Sequence, residues 1–317
     1  MQVILNRWYA ILSSDEVHAD RGAGARRLGY DLAFWRDAEG RVHGALDRCP
    51  HRGAKLSPGK VKDGCIECPF HGFLFDGSGA CTAIPAHPER PISGAMALAP
   101  LTLREAHGFI WLWTGPDTPP ADAIPFFDFD GFSWQGSQFT VKVDNHYTRA
   151  IENQLDFAHL PFVHASTIGR FATAEVEVDT VVDGDRIRAA VGGAEDFIEF
   201  LGPNLWRLRT GPTWQLLVFV PIDDGHMQYY TRNYQPWVHA RGLRWMVGKA
   251  NAALNRLVIR QDTPVVESQP VAETRLKMGE LLVPSDKPII AYRRWREAHR
   301  GVWQPPSRRP VAVAAAS

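Results

Sequence analysis

The sequence has 317 residues, enough for one large domain or two ordinary ones at about 150 residues each. Its 35 basic and 35 acidic residues balance, which argues against histone-like or tail-driven nucleic-acid binding. Hydrophobic residues at 45% and charged residues at 22% exclude a disordered chain, and the longest apolar runs, such as residues 216–222, are too short for a membrane span. The first residues (MQVILNRWYAILSSDEV) lack a basic region ahead of a long apolar core, so they read as no secretory signal and the protein as cytoplasmic.

The elements follow in order. LGYDLAFWRD, AEG and RVHGALD (28–47) read as strand, turn and strand, and GFIWLWTG (108–115) as a further strand. The Pro119-Pro120 pair in the next loop marks a domain boundary. Residues 1–118 therefore form an all-β domain. The second domain, 119–305, opens with a strand-like stretch at 132–144. Its apolar residues Tyr147, Ile151, Leu155 and Ala158 then recur at helical spacing over 146–160, where Pro161 ends or kinks the helix. Residues 175–235 alternate as in a twisted antiparallel sheet. Residues 241–300 are helical, interrupted by Pro264, Pro270, Pro284 and Pro288. The tail, 306–317, reads as disordered. The fold class is α+β.

Two motifs carry chemistry. Cys49-x-His51 and Cys68-x-x-His71, separated by sixteen residues, sit in CPHRG and CPFHG. Each arm offers one thiolate and one imidazole, and Gly53 and Gly72 let each loop turn tightly. Two Cys and two His also satisfy a structural zinc ion, but zinc fingers usually segregate the Cys pair from the His pair. Mixed arms suit a two-iron cluster in which one iron takes both thiolates and the other both imidazoles. Here the sequence resembles the Rieske [2Fe-2S] proteins. Cys65 and Cys81 fall outside the motif and read as inert thiols.

The second motif lies in ENQLDFAHLPFVH, where Asn153, Asp156 and His159 fall three apart and so share a helix face. His164 follows beyond Pro161. Two histidines and one acid on one face of an iron leave positions open for dioxygen and substrate. The pattern D-x-x-H-x-x-x-x-H, downstream of the first motif, resembles the catalytic domain of Rieske non-heme iron oxygenases. Together the two resemblances span roughly residues 5–300.

The resemblance implies a Rieske domain followed by a helix-grip, START-like catalytic domain with C-terminal helices. It implies that Cys49, His51, Cys68 and His71 hold a [2Fe-2S] cluster, and that His159 and His164 bind a mononuclear Fe(II). The third ligand is expected about a hundred residues on, where Asp262 fits best, ahead of Glu267, Asp223 and Asp224. Asn153 stands near the iron as a weak ligand or a supporting group. Asp156 bridges His159 to His71 of a neighbouring chain, in a homotrimer. The interval N-Q-L-D and the short chain are similar to the monooxygenase and demethylase branch, whose members demethylate, hydroxylate or desaturate. The implied activity uses O2 and two electrons to monooxygenate a small cyclic or aromatic molecule.

No nicotinamide or flavin fingerprint is present, so electrons come from a ferredoxin or an NAD(P)H-dependent flavin reductase. Arg48, Arg52, Lys55, Lys60 and Lys62, against Asp47 and Asp63, form a basic patch suited to an acidic ferredoxin. A second Arg cluster, at 293, 294, 296 and 300, reads as a helix cap or surface. Candidate pocket walls are Phe157, Phe162, Trp206, Trp214, Leu216 and Tyr230. The competing class is a Rieske-type electron carrier or ligand-binding protein without oxygenase activity.

Overall fold

The computed structural model describes residues 1–129, 138–192, 195–235, 238, 240–269 and 273–307. The strand-like segment expected at 132–137, Pro270 and the tail from 308 lie outside them. Two compact units emerge: Trp8–Ala121 with the chain from Val302 onward, and Met1–Arg7 with Asp122–Gly301.

After β1 (Gln2–Ile4), the N-terminal unit is built from β2 (Trp8–Ser13), β3 (Ala23–Arg27), β4 (Tyr30–Arg36), β5 (Val42–Leu46), β6 (Val61–Lys62), β7 (Cys65–Glu67), β8 (Leu74–Phe75), β9 (Cys81–Ala83), β10 (Leu103–Ala106) and β11 (Phe109–Trp113). They form three small antiparallel sheets, ordered β10-β11-β2, β3-β4-β5 and β6-β7-β8-β9. The apolar runs of β2 and β11 are buried on both faces, as strands enclosed between layers must be. One core cluster gathers Trp35, Leu56, Ile66, Phe73, Phe75 and Leu98, and both Cys49 and Cys68 belong to it. The two motif loops are thus rooted in packed side chains.

The C-terminal unit continues with β12 (Gln138–Val143), α1 (Tyr147–Leu155), α2 (Leu160–Val163), β13 (Val178–Asp183), β14 (Arg186–Val191), β15 (Phe197–Leu201), β16 (Leu205–Thr210), β17 (Thr213–Pro221), β18 (Met227–Tyr234), α3 (Arg241–Glu267), α4 (Lys287–His299) and β19 (Arg300–Val302). Seven strands form one antiparallel sheet, ordered β12-β18-β17-β16-β15-β14-β13. Register decides its faces. Trp206 pairs with Phe200 and Leu217, and Thr231 with Leu217 and Phe139, so these side chains share one face. That face carries the helices. Trp206 Nε1 donates to the Gln154 carbonyl of α1 (3.0 Å), and Phe200 packs on Tyr292 and Trp295 of α4. On β18, Asn233 accepts from Asn255 of α3 (3.1 Å).

α1 is shorter than its periodicity predicts. It ends at Leu155, and Asp156 is extended at φ −94°, ψ 130°. The Asp156 carboxylate accepts from the Ala158 N–H (2.7 Å), an Asx-type turn that competes with helix continuation. Pro161 does not terminate a helix but sits in the first turn of α2, where its missing N–H costs nothing. Asp156 and His159 therefore meet across a turn rather than along one helix face. Pro264 likewise lies inside an unbroken α3, near its C-terminal end.

The Arg cluster expected at the surface is half buried. Arg293 and Arg296 are only 3% and 1% exposed. Arg293 forks onto Glu152 of α1 with two 2.7 Å contacts and also reaches Glu280 (2.6 Å). Arg296 donates to Glu273 (2.6 Å) and to the Thr274 carbonyl (2.7 Å). Arg149 adds a bond to Glu280 (2.7 Å). This network locks α1 to α4 and so fixes the helix that leads into the second motif.

Beside it, His146 caps α1 and is 1% exposed. Burial, reinforced by the Arg296 charge, pushes its pKa down to about 4 from the ordinary 6.5. The imidazole stays neutral in the folded chain while the unfolded chain binds a proton below about pH 6.5. Stability is therefore complete above that value and is lost as pH falls towards 4, by up to about 3 kcal/mol at about 1.4 kcal/mol per pH unit. Denaturant titrations at pH 7.5 and 4.5 should show this loss, and His146→Gln should flatten the slope. An equal slope in the variant would assign it elsewhere.

β1 pairs with β19 in a two-stranded sheet, and Leu5 N–H donates to the His299 carbonyl (3.0 Å). Arg7 forks onto Asp185 at 2.6 and 3.0 Å. Residues 1–7 thus belong with the C-terminal unit, although sequence order places them in the 1–118 domain, because their pairing partners lie at its far end.

Candidate active site

The two ligand loops close in the same way. Cys49 N–H donates to the Ala54 carbonyl (2.7 Å) and Gly53 N–H to the Cys49 carbonyl (2.9 Å). Cys68 N–H donates to the Phe73 carbonyl (2.8 Å) and Gly72 N–H to the Cys68 carbonyl (2.9 Å). Gly53 and Gly72 hold φ of +76° and +72°, a left-handed turn that a side chain would strain. Both thiols are buried, both imidazoles are exposed, and the rings of His51 and His71 lie 4.7 Å apart. Burial, with the Cys68 thiol alongside, pushes the Cys49 pKa up to about 11. The Cys49 thiolate would therefore have to be stabilised by a cation bound beside it. Sequence reading missed Asp47, which is 8% exposed. Its carboxylate accepts from Leu56 N–H (2.6 Å), Ser57 N–H (2.8 Å) and Ser57 Oγ (2.7 Å), pinning the first loop from below.

Cys65 and Cys81 are free thiols outside this site, and burial raises the Cys81 pKa. Among the described residues, one set of His, Cys, Asp or Glu brings its ligand atoms within 4.8 Å of one another: His159, His164 and Asp262. The four groups of the loops are not so gathered, and a single tetrahedral zinc would require it.

That triad draws on the two ends of α2 and on α3. His159 precedes α2, His164 follows it, and Asp262 comes from α3. Asp262 Oδ1 lies 3.0 Å from His164 Nε2 and 3.6 Å from His159 Nε2, yet it is buried without a well-directed hydrogen bond. Converging lone-pair donors around an orphaned carboxylate oxygen fit a divalent cation. The remaining oxygen, Oδ2, faces Gln154 Nε2 at 3.4 Å. Burial opposes charge on His164, but Asp262 and Gln261 outweigh it and raise its pKa. His159 Nδ1 lies 3.4 Å from Asp156 Oδ2, and Asp156 keeps a quarter of its side chain exposed.

The rival acids lie elsewhere: Asp223 pairs with His226 (2.7 Å), Asp224 lies 3.8 Å from the chain's amino terminus, and Glu267 is exposed. Asn153 is not the amide that reaches Asp262. Its neighbour Gln154 is, since consecutive helical residues point about 100° apart. Of the pocket candidates, Trp206 stands on the helix-bearing face of the sheet. Trp214, Leu216 and Tyr230 point from the opposite face, where Trp214 packs on Phe129 and Phe197. Phe157 is partly buried and Phe162 is 72% exposed. Strand parity, invisible without register, separates them.

A loop-bound Cys2His2 site and a His2Asp triad on a helix-bearing antiparallel sheet define a protein with a Rieske-type cluster and a mononuclear iron. Residues 7–101 match the Rieske [2Fe-2S] domain, and residues 143–195 the vanillate O-demethylase oxygenase C-terminal domain. The chain belongs to the Rieske non-heme iron oxygenase family. It is 34% identical over 231 residues to the vanillate O-demethylase oxygenase subunit of Pseudomonas sp. strain HR199, covering 68% of this chain and 62% of that one. It is 33% identical over 195 residues to the oxygenase component of dicamba O-demethylase from Stenotrophomonas maltophilia, covering 60% and 56%. The matches thus span little more than half of each relative. The structure of NdmA from Pseudomonas putida CBB5 superposes with a TM-score of 0.78 over 96% of this chain and 98% of its own, at 23% identity, a likeness of fold.

Proposed function

We propose that this chain is the terminal oxygenase of a Rieske system that hydroxylates or oxidatively demethylates a small cyclic or aromatic molecule. The observation that supports it most is the convergence of His159, His164 and Asp262 within 4.8 Å around a buried carboxylate oxygen without a well-directed hydrogen bond. In this reading Cys49, His51, Cys68 and His71 hold the cluster and the triad holds the iron. The cluster supplies electrons singly, and the iron supplies the site where dioxygen is reduced. Gln154 restrains the second oxygen of Asp262. Asp156 orients His159 through Nδ1 and keeps an exposed edge for His71 of a neighbouring copy. Exposed Phe162, Ile168 and Phe171, at 72%, 51% and 90%, suit burial against that copy in a trimer.

The substrate is proposed to lie against the helix-bearing sheet face around Trp206. The buried, unpartnered Thr231 Oγ1 and Asn233 Nδ2 offer it hydrogen bonds there. Exposed Arg48, Arg52 and Lys60 favour an acidic ferredoxin or reductase as electron donor, whereas Lys55 and Lys62 already face Asp31 and Glu67. A cytoplasmic setting suits four free cysteines. No described helix is long and apolar enough to cross a membrane.

An aryl methyl ether plus O2, two electrons and two protons gives the phenol, formaldehyde and water. The test is therefore a panel of methoxybenzoates, vanillate included, and N-methylated heterocycles, run with a ferredoxin and reductase. The expected result is substrate-dependent O2 uptake, with formaldehyde from methylated substrates, by a protein sedimenting as three chains. Turnover by a stable monomer would remove the role given to Asp156. A reducible cluster with no iron bound at the triad would make the chain an electron carrier.

A further inference from the structure

His164 is 1% exposed, so water cannot serve its second ring nitrogen, and a side chain must. That side chain is Gln261, whose Oε1 lies 2.9 Å from His164 Nδ1. The amide is itself held at both ends: Thr167 Oγ1 donates to Oε1 (2.8 Å), and Nε2 donates to Ser166 Oγ (3.1 Å). Gln261 immediately precedes Asp262 on α3. Two successive residues of one helix therefore present a ligand and the partner of a different ligand.

We propose that Gln261 is a positioning residue that fixes the tautomer of His164, so that Nδ1 carries the proton and Nε2 presents its lone pair to the metal. This rests on the reading of His159, His164 and Asp262 as an iron site. The physical requirement is directional. A metal-bound Nε2 leaves Nδ1–H as an obligatory donor, and only the carbonyl end of the amide can accept from it. A reversed amide would set N–H against N–H at an imidazole that is itself buried. Ser166 and Thr167, on the loop after α2, hold the productive orientation. The two histidines are thereby distinguished: His159 faces a carboxylate, Asp156, whereas His164 faces a neutral amide. A neutral partner adds no negative charge to the triad, so only Asp156 lends anionic character to a ligand imidazole.

The test compares Gln261→Met, which keeps bulk but removes the acceptor, with Gln261→Glu, which restores it. Ferrous iron affinity is read by chelator competition on the full chain with its cluster intact. Thermal unfolding and the cluster's visible spectrum verify folding. Gln261→Met should bind iron about 10- to 100-fold more weakly, the usual range for losing such a partner. Gln261→Glu should recover most of that loss. It should also shift the EPR line shape of the nitric oxide adduct, because a carboxylate makes His164 a stronger donor. Wild-type affinity in folded Gln261→Met overturns the proposal, and so does a Gln261→Glu variant as weak as Gln261→Met. His164→Ala separates the two readings. If it too binds iron like the wild type, the triad is not the iron site. If it alone loses iron, only the role of Gln261 fails.

Discussion

Asp262→Ala will remove the mononuclear iron and leave the cluster untouched. Asp262 is 5% exposed and supplies the sole carboxylate of the triad, facing both imidazoles with Oδ1. Losing a direct ligand should exceed the roughly 10- to 100-fold cost of losing a supporting partner, so affinity should fall by more than about 100-fold. Iron content should drop from about three atoms per chain to about two, with turnover lost and the reduced cluster's EPR signal unchanged. The Cys2His2 loops lie in the other compact unit, which is why their spectrum should not respond. Glu267→Ala, five residues on and exposed, should leave iron content and turnover at wild-type levels. Iron retained at three atoms in Asp262→Ala would return the search for the third ligand to Asp223 and Asp224.

Breaking the α1–α4 lock will have the largest effect on stability. Arg293 neutralises Glu152 through a two-pronged contact with both side chains nearly fully buried, at 2% and 6% exposure. Arg293→Met leaves that carboxylate buried opposite an apolar group, a loss of about 3–5 kcal/mol. Arg149 lies 3.6 Å from Glu152 and will soften the loss without replacing the fork. Adding Glu152→Leu to Arg293→Met removes the stranded charge and should recover most of the stability. Denaturant titration followed by near-ultraviolet circular dichroism distinguishes the two variants. A single variant within about 1 kcal/mol of wild type would show that Arg149 alone suffices to neutralise Glu152. α1 leads directly to Asp156 and His159, so the single variant should also bind iron less tightly under conditions where it stays folded.

What could be read from sequence, and what could not, divides along physical lines. Strands β4, β5 and β11 of the N-terminal unit and the paired CPHRG and CPFHG loops were legible because turn chemistry and ligand chemistry are both local. The histidine pair was legible from residue types and spacing, whereas Asp262, 98 positions after His164, was placed only through the family resemblance. The end of α1 was not, because its periodicity persists to Ala158 while one Asp156–Ala158 hydrogen bond diverts the backbone. The pocket walls were not, since Trp206 and Trp214 both look like large apolar strand residues and only register sends them to opposite faces. Arg293 and Arg296 carry the signature of a cationic helix surface, and their carboxylate partners, buried Glu152 and the more open Glu273 and Glu280, are distant or on another element. Gln261 gave no signal beyond its adjacency to Asp262.

The pairing of β1 with β19 bears on how the chain can be made and divided. Gln2 leaves the ribosome 298 residues ahead of Arg300, where the strand that receives it begins. The C-terminal unit therefore cannot close until β19 has been made, whereas most of the other unit's strands are available early. Cutting at the Pro119-Pro120 linker would strand Arg7 away from Asp185 and leave Trp303 without Tyr30, whose rings meet edge to face at 5.5 Å. Each half would carry off a piece of the other. A separately expressed C-terminal unit would have to include residues 1–7, and a separately expressed N-terminal unit would have to include Trp303.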